Sequence, residues 1–203
     1  MTDALAVFLR GFIIGISIAA PVGPIGVLCI RRTLSDGKLT GFLSGMGAAS
    51  ADMVYGAIAA YGLTVITNLL VENALWLRLI GGCFLLYLGI KTFLEKPADH
   101  AAQTNQKSGY FGAYISTFFL TITNPMTIIS FAGIFAGTMS IGSTSSPLML
   151  VAGVFAGSAA WWLALSFGVG LMRERLTAGH MAWINRISGI IIITFGLIAI
   201  FKK

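Results

Sequence analysis

One acidic side chain in this sequence has a position that calls for a chemical explanation. Asp52 lies deep within an apolar run, whereas the other acidic residues fall in termini, polar stretches or the ends of apolar runs. A charge at such a place costs at least about 2.5–3.5 kcal/mol on membrane-insertion scales, so it normally faces an interior cavity on a substrate, ion or proton path. The alternative is a buried aspartate that only hydrogen-bonds a neighbouring helix.

Two places inside apolar runs combine proline with a helix-capping residue. They contain Pro21, Gly23 and Pro24 in the stretch APVGPIGV, and Asn124 and Pro125 in a later run. Proline breaks a helix, yet it suits the first position of a new one, with Gly or Asn just before it as the cap. The exposed N–H groups of such a helix start attract anions. We therefore predict two broken helices that form a substrate-binding site with the aspartate; ordinary kinks are the alternative.

Several hydroxyl and aromatic side chains stand close in sequence to these positions and are candidates for lining a cavity there. They are Ser50, Tyr55, Thr121, Thr123, Thr127, Trp161 and Trp162. Each also has a structural explanation, because a hydroxyl can bond to its own helix and a tryptophan can pack in the core or at the bilayer surface.

The composition limits the class of protein to which these residues belong. The 203-residue chain is 57% hydrophobic and 10% charged, with a mean hydropathy of +0.89. Soluble domains carry about 25% charged residues, so we predict an integral membrane protein. The net charge of +6 does not indicate nucleic acid, because the basic residues sit at the ends of apolar runs. The expected partners are a small-molecule substrate and the lipid bilayer, and assembly into a homo-oligomer is left open.

No cofactor or metal site is predicted. Cys29 and Cys83 lie in separate apolar runs, with no CxxC pair and no histidine at metal-ligand spacing. No histidine lies in an apolar run either, so nothing could activate a serine for hydrolysis within the membrane, and we do not expect an enzyme.

Charges and turn residues divide the chain into six apolar segments and one polar linker. The linker, residues 95–109, separates a first half (residues 1–94) from a second half (residues 110–203). The predicted spans are residues 11–30, 40–66 and 75–94 in the first half, and 110–138, 148–172 and 183–201 in the second. The predicted fold is therefore an all-α bundle of six transmembrane helices, with helices 1 and 4 broken.

The two halves resemble each other in sequence. Residues 41–56 align without gaps on residues 153–168, and in this alignment Ala164 stands opposite Asp52. A glycine precedes the break by thirteen residues in both halves, as Gly11 before Pro24 and Gly112 before Pro125. Because each half has an odd number of spans, its two copies must enter the membrane in opposite senses. This inverted-topology repeat is typical of secondary transporters.

The distribution of Lys and Arg predicts how the chain is oriented. Nine of these residues flank the turns on one side of the spans, and four, including Arg10 and Arg78, lie on the other. The positive-inside rule places the first side in the cytoplasm and both termini in the periplasm.

The motifs together resemble one known family. A first span with Pro-x-Gly-Pro, a second with closely spaced glycines and Asp52, and a fourth with Asn-Pro is similar to the lysine exporter (LysE) family, over essentially the whole chain. The resemblance implies proton-driven export of an amino acid or similar metabolite across the bacterial inner membrane. Ile25-Gly26 stands where the basic amino-acid members carry Gln-Asn, so it assigns no substrate.

Two other transport classes remain open as alternatives. A heavy-metal efflux protein of the cadmium type belongs to the same superfamily, but it would need soft ligands along the path, and Cys29 is the one candidate near a break. A carrier of electrons between thiols would need paired cysteines in spans one and four, whereas Ser130 occupies the position equivalent to Cys29.

Overall fold

The computed structural model describes residues 2–21, 23–61, 72–94, 109–124, 127–128, 130–131, 146–173 and 176–201. These residues include seven helices with described bounds and further helical residues at 127–128 and 130–131, and no strand occurs among them. The helices are α1 (Thr2–Ala19), α2 (Pro24–Asp36), α3 (Lys38–Ala60), α4 (Ala74–Leu94), α5 (Gly109–Ile122), α6 (Pro147–Gly170) and α7 (Ala178–Phe201). The predicted all-α class is therefore confirmed for the described part of the chain.

Three helices are each long and apolar enough to cross a membrane. Their apolar stretches are Leu75–Leu94, Pro147–Gly170 and Gly179–Phe201, which correspond to the predicted spans three, five and six. The stretches Ala4–Ala19 and Pro24–Asp36 of α1 and α2 meet the same criterion when taken together, and a bend of 82° separates them, as in a broken span or a re-entrant loop. The count of six spans and the polar linker stay predictions, because residues 62–71, 95–108 and 132–145 lie outside the described part.

The first two helices extend beyond the predicted first span, residues 11–30. α1 begins at Thr2 and continues past Arg10, whose side chain is exposed, and α2 continues to Asp36. A single charge on an exposed helix face does not interrupt backbone hydrogen bonding, although it marks a boundary in hydropathy. The predicted bounds therefore mark changes in polarity rather than helix ends.

Glycines bring α1 and α6 into backbone contact. Gly11 and Gly15 on α1 face α6, and Gly153 and Gly157 on α6 face α1. A Cβ atom added to any of the four would lie 2.0–2.3 Å from a carbonyl oxygen of the other helix. Small residues at four-residue spacing allow the two backbones to approach this closely. In lipid, where no hydrophobic effect drives helices together, such close van der Waals packing stabilises their association.

A second pair of glycine contacts joins α4 to α7. Gly82 packs against Gly196, and Gly89 packs against Gly189, with the added Cβ atom of each α4 glycine 3.1 Å from the carbonyl oxygen of its α7 partner. α3 packs along both α5 and α6. The two halves of the chain are thus interleaved, because each of these helix pairs takes one member from either half.

α2 is held in the bundle by two arginine side chains. Arg31 is buried and donates from Nε to Asn185 Oδ1 of α7 at 3.0 Å. Arg32 donates from Nη1 to Ser44 of α3 at 3.0 Å and to Thr117 of α5 at 2.9 Å. Both cations lie within the helix, so their hydrogen bonds fix its position against three others.

The C-terminus of α2 is capped by specific hydrogen bonds. Gly37 has a positive φ of 105°, and its N–H donates to the Thr33 carbonyl at 3.1 Å. Arg173 then donates from Nε to the Leu34 carbonyl and from Nη2 to the Ser35 carbonyl, both at 3.1 Å. A cation suits a helix C-terminus, where unpaired carbonyl groups carry partial negative charge.

Candidate functional site

A cavity of about 530 Å³ lies at the break between α1 and α2. Its wall takes residues from α1 to α7 and from the chain that follows α5. The predicted site residues on this wall are Pro21, Gly23, Pro24, Asp52, Thr121, Asn124, Thr127 and Trp162. Pro125 lies outside the described residues. The structure therefore brings the first break, the Asn124 position and Asp52 to one cavity.

The break between α1 and α2 follows from the dipeptide Gly23-Pro24. α1 ends at Ala19, and Gly23 has an extended backbone as the N-cap of α2, with Pro24 in the first turn. The Gly23 carbonyl accepts the first hydrogen bond of the new helix, from the Val27 N–H at 3.0 Å. The N–H groups before Val27 have no carbonyl partner within the helix. Gly23, Pro24 and the next two residues line the cavity, so this positively polarised end borders it.

The Asn124 position repeats this hydrogen bond. α5 ends at Ile122, Asn124 is not helical, and residues 127–128 and 130–131 are helical. The Asn124 carbonyl accepts from the Ile128 N–H at 3.2 Å, which is the counterpart of the Gly23–Val27 bond. Asn124, Thr127 and Ser130 all border the cavity.

Asp52 is buried in the middle of α3, with a relative exposure of 3%. Its Oδ2 accepts a hydrogen bond of 2.7 Å from the Ser158 hydroxyl of α6. Among the described residues no cation pairs with this carboxylate. A hydroxyl donor stabilises a buried carboxylate only in part, so an ionised Asp52 still has unsatisfied acceptor sites beside the cavity.

Trp162 reaches the cavity wall because α3 has a glycine opposite it. A Cβ atom on Gly45 would lie 2.3 Å from the Trp162 Cβ atom, so a larger residue would displace the indole. The side chain is buried, and its Nε1–H has no hydrogen-bond partner within the described part of the chain. Trp161, the other predicted aromatic, is half-buried against the core and does not line the cavity.

Three hydroxyl residues that were predicted to line the cavity form hydrogen bonds with helices and are not part of its wall. Ser50 accepts a 2.8 Å hydrogen bond from Tyr114 of α5. Thr123 donates to the Phe119 carbonyl at 2.8 Å. Tyr55 is buried, and its hydroxyl donates to the Ile122 carbonyl, the last of α5. Tyr55 thus binds the last residue of α5, next to the second break, and is not part of the cavity wall.

The cavity also contains a cation that the sequence analysis did not assign to it. Arg78 of α4 lines the wall, and its Nε donates to the Ala199 carbonyl of α7 at 3.1 Å. Its place near the start of a span indicates an orientation charge. Arg78 nevertheless lies inside the apolar stretch Leu75–Leu94. A charge inside a span is the sequence feature that indicates a place on the cavity wall. Ser158 was missed because its contact with Asp52 joins residues 106 positions apart.

The wall combines groups that could bind a small molecule. One carboxylate and one guanidinium share the cavity with a few hydroxyls, one amide and mainly apolar side chains. Among the described residues no group of three or more His, Cys, Asp or Glu side chains could hold a metal ion.

Comparison with known proteins identifies bacterial proteins to which the chain is similar. The chain is 27% identical over 197 residues to the "Putative amino acid efflux protein YcgF" of Bacillus subtilis (strain 168), covering 94% of this chain and 93% of that protein. It is 25% identical over 177 residues to the "Uncharacterized membrane protein YahN" of Escherichia coli (strain K12), covering 85% and 79%. A third relative, "Uncharacterized membrane protein YrhP" of Bacillus subtilis (strain 168), is 24% identical over 183 residues, covering 84% and 87%. No solved structure matches the chain.

The family comparison covers almost the whole chain. The family model described as "LysE type translocator" matches residues 16–203, which include both proline positions, Asp52 and Arg78. The resemblance that the motifs indicated is therefore confirmed. This chain is a multi-pass membrane protein that belongs to the LysE family of translocators.

Proposed function

We propose that this protein exports an amino acid or a similar small metabolite from the cytoplasm, and that the cavity at the α1–α2 break is the transport site. The observation that carries the proposal is Asp52, a buried carboxylate without a cationic partner among the described residues, on the wall of a cavity at a broken helix. A carboxylate so placed has a natural ligand in the ammonium group of an amino acid.

The other end of an amino acid requires a binding group for its carboxylate. The N-terminus of α2 supplies backbone N–H groups and a positive partial charge on the same cavity. The hydrogen bond from the Ile128 N–H to the Asn124 carbonyl marks a comparable helix start. In this arrangement the substrate bridges the helix starts and Asp52, so that both of its charges are matched.

We propose that export is coupled to proton entry through Asp52. The ionised carboxylate binds the substrate ammonium in the inward-facing state. On the outer side a proton competes for the same oxygen atoms and releases the substrate, and the protonated carrier then returns. One site that holds either a proton or an ammonium, but not both, gives antiport without a second titratable group.

We also propose that the two halves are inverted repeats that rock against each other around this cavity. The interleaved packing supports the proposal, because exchanging the halves maps the four most extensive helix contacts, α1–α6, α3–α5, α3–α6 and α4–α7, onto one another or onto themselves. The pair α1–α6 becomes the pair α5–α3. Gly82 and Gly89 have the same spacing as Gly189 and Gly196 in the second half, so the contact Gly82–Gly196 becomes Gly189–Gly89. In a bacterial cell we expect the protein in the inner membrane, with both termini in the periplasm.

The cadmium-type alternative has less support from the cavity. Cys29, its nearest soft ligand, is completely buried in α2 and is not part of the cavity wall. Oxygen groups and apolar carbon dominate the wall, whereas a soft metal would require sulfur or imidazole ligands there.

Transport into everted membrane vesicles tests the proposal. Vesicles with and without the protein are energised with a proton gradient and offered a panel of labelled amino acids. We expect at least one amino acid to accumulate only when the protein is present, and a protonophore to abolish the accumulation. No accumulation of any amino acid, with the protein verified in the membrane, would refute the proposed function.

A further inference from the structure

We propose that Arg78 binds the substrate carboxylate directly, and that the cavity therefore selects neutral amino acids with apolar side chains. This inference rests on the proposed function and narrows it to one class of substrate. It begins from the fact that the cavity wall contains two opposite charges, Asp52 on α3 and Arg78 on α4.

The two charges are not neutralised by each other. Asp52 accepts its hydrogen bond from Ser158, and Arg78 donates from Nε to the Ala199 carbonyl. No ion pair joins them or any other side chain to them among the described residues. Charges in a largely apolar cavity are costly unless a partner matches them, so a ligand with one ammonium and one carboxylate group satisfies both at once.

The geometry of Arg78 suits this role. The Nε bond holds the guanidinium against Ala199, which is itself part of the cavity wall. The terminal amino groups of a guanidinium form a planar fork that matches a carboxylate with two parallel hydrogen bonds. A side chain fixed at Nε loses little further freedom when such a ligand binds.

The rest of the wall decides which side chain the substrate can carry. Apolar groups predominate beyond the two charges, among them Ile18, Leu85, Trp162, Phe195 and Ile198. Lysine or glutamate would add a further charge that neither Asp52 nor Arg78 remains free to match. Rejection of such substrates follows from an unpaired charge rather than from size, since the cavity of about 530 Å³ has room for any of them.

The test compares Arg78→Gln with the wild-type protein in purified proteoliposomes. Counterflow of labelled L-leucine is measured against unlabelled L-leucine, L-phenylalanine, L-lysine and L-glutamate, and against L-leucinamide, which keeps the ammonium but lacks the carboxylate. Arg10→Gln is the matched control, because Arg10 is an exposed arginine on α1 outside the cavity wall.

For the wild type and Arg10→Gln we expect competition by leucine and phenylalanine but not by lysine or glutamate. Both should prefer leucine to leucinamide by about tenfold or more, the scale of a charge-assisted hydrogen bond. Arg78→Gln should keep only the smaller part of that preference that the helix starts supply. A purely structural role of Arg78 would weaken leucine and leucinamide equally, and would leave their ratio unchanged.

The possible results separate this inference from the proposed function. If the wild type transports amino acids but Arg78→Gln keeps the wild-type ratio of leucine to leucinamide, the role of Arg78 is refuted while amino-acid transport stands. Equal competition by lysine or glutamate would refute the substrate class. If no amino acid supports counterflow in the wild type, the proposed function itself fails.

Discussion

Gly15→Ala should loosen the contact between α1 and α6 and disturb the Asp52 site at the same time. The added Cβ atom would lie 2.2 Å from the Val154 carbonyl oxygen and 2.9 Å from the Ser158 backbone nitrogen. An ordinary contact needs at least about 3.4 Å, so the backbones must separate locally by about 1.2 Å. The turn of α6 that moves is the one that carries the hydroxyl donor to Asp52.

The size of the effect follows from overpacking. Forcing one additional carbon atom into a tight contact costs about 1–3 kcal/mol. Gly112→Ala is the matched control, since Gly112 is also a helical glycine and its added Cβ atom would meet nothing within 4 Å. Both variants gain the same helix propensity, so the difference between them isolates the steric cost.

Thermal unfolding of the purified proteins in detergent measures that difference. At about 2–4 °C per kcal/mol, Gly15→Ala should unfold several degrees below Gly112→Ala. Its transport rate should also fall, because a displacement of this size at Ser158 disturbs the geometry of its 2.7 Å hydrogen bond to Asp52. Equal unfolding temperatures for the two variants would show that α1 and α6 are not packed as described.

Three shorter predictions concern the site and the topology. Ser158→Ala should lower the transport rate about tenfold, because it removes the donor to Asp52, whereas Ser166→Ala should not, since that equally buried hydroxyl on α6 has no partner among the described residues. Equal rates would contradict the role of Ser158. Tyr55→Phe should cost about 1 kcal/mol of unfolding free energy, the value of its bond to the Ile122 carbonyl, and an unchanged melting temperature would argue against that bond. A reporter active only in the periplasm should work when fused after Lys203; activity of a cytoplasmic reporter there would reverse the orientation.

Local features of the fold could be predicted from the sequence because their causes are local. The predicted span 75–94 agrees with α4, since a continuous apolar run of bilayer length has few other solutions. The start of α2 at Pro24 was predictable because proline chemistry acts within one turn. The presence of Asp52 on a cavity wall followed from the cost of burying a charge.

The contacts between helices could not be predicted, because they depend on which faces meet. Nothing in the sequence near Asp52 indicates Ser158, and nothing near Arg31 indicates Asn185. Arg78 is the most informative residue whose place on the cavity wall was not predicted. Its place near a span end favoured an orientation charge, whereas the packing of α4 on α7 brings it to the cavity.

Asp52→Asn is the most direct test of the transport site. Asparagine keeps the shape of the side chain and an oxygen atom that can accept from Ser158, but it cannot hold a proton or carry a charge. Asp36→Asn, at the end of α2 and outside the cavity wall, controls for the loss of one carboxylate. Export of the substrate is measured in everted vesicles over a range of imposed proton gradients. We expect Asp52→Asn to insert and melt like the wild type yet to export nothing at any gradient, while Asp36→Asn exports normally. Export by Asp52→Asn at the wild-type rate over the whole range would contradict the account.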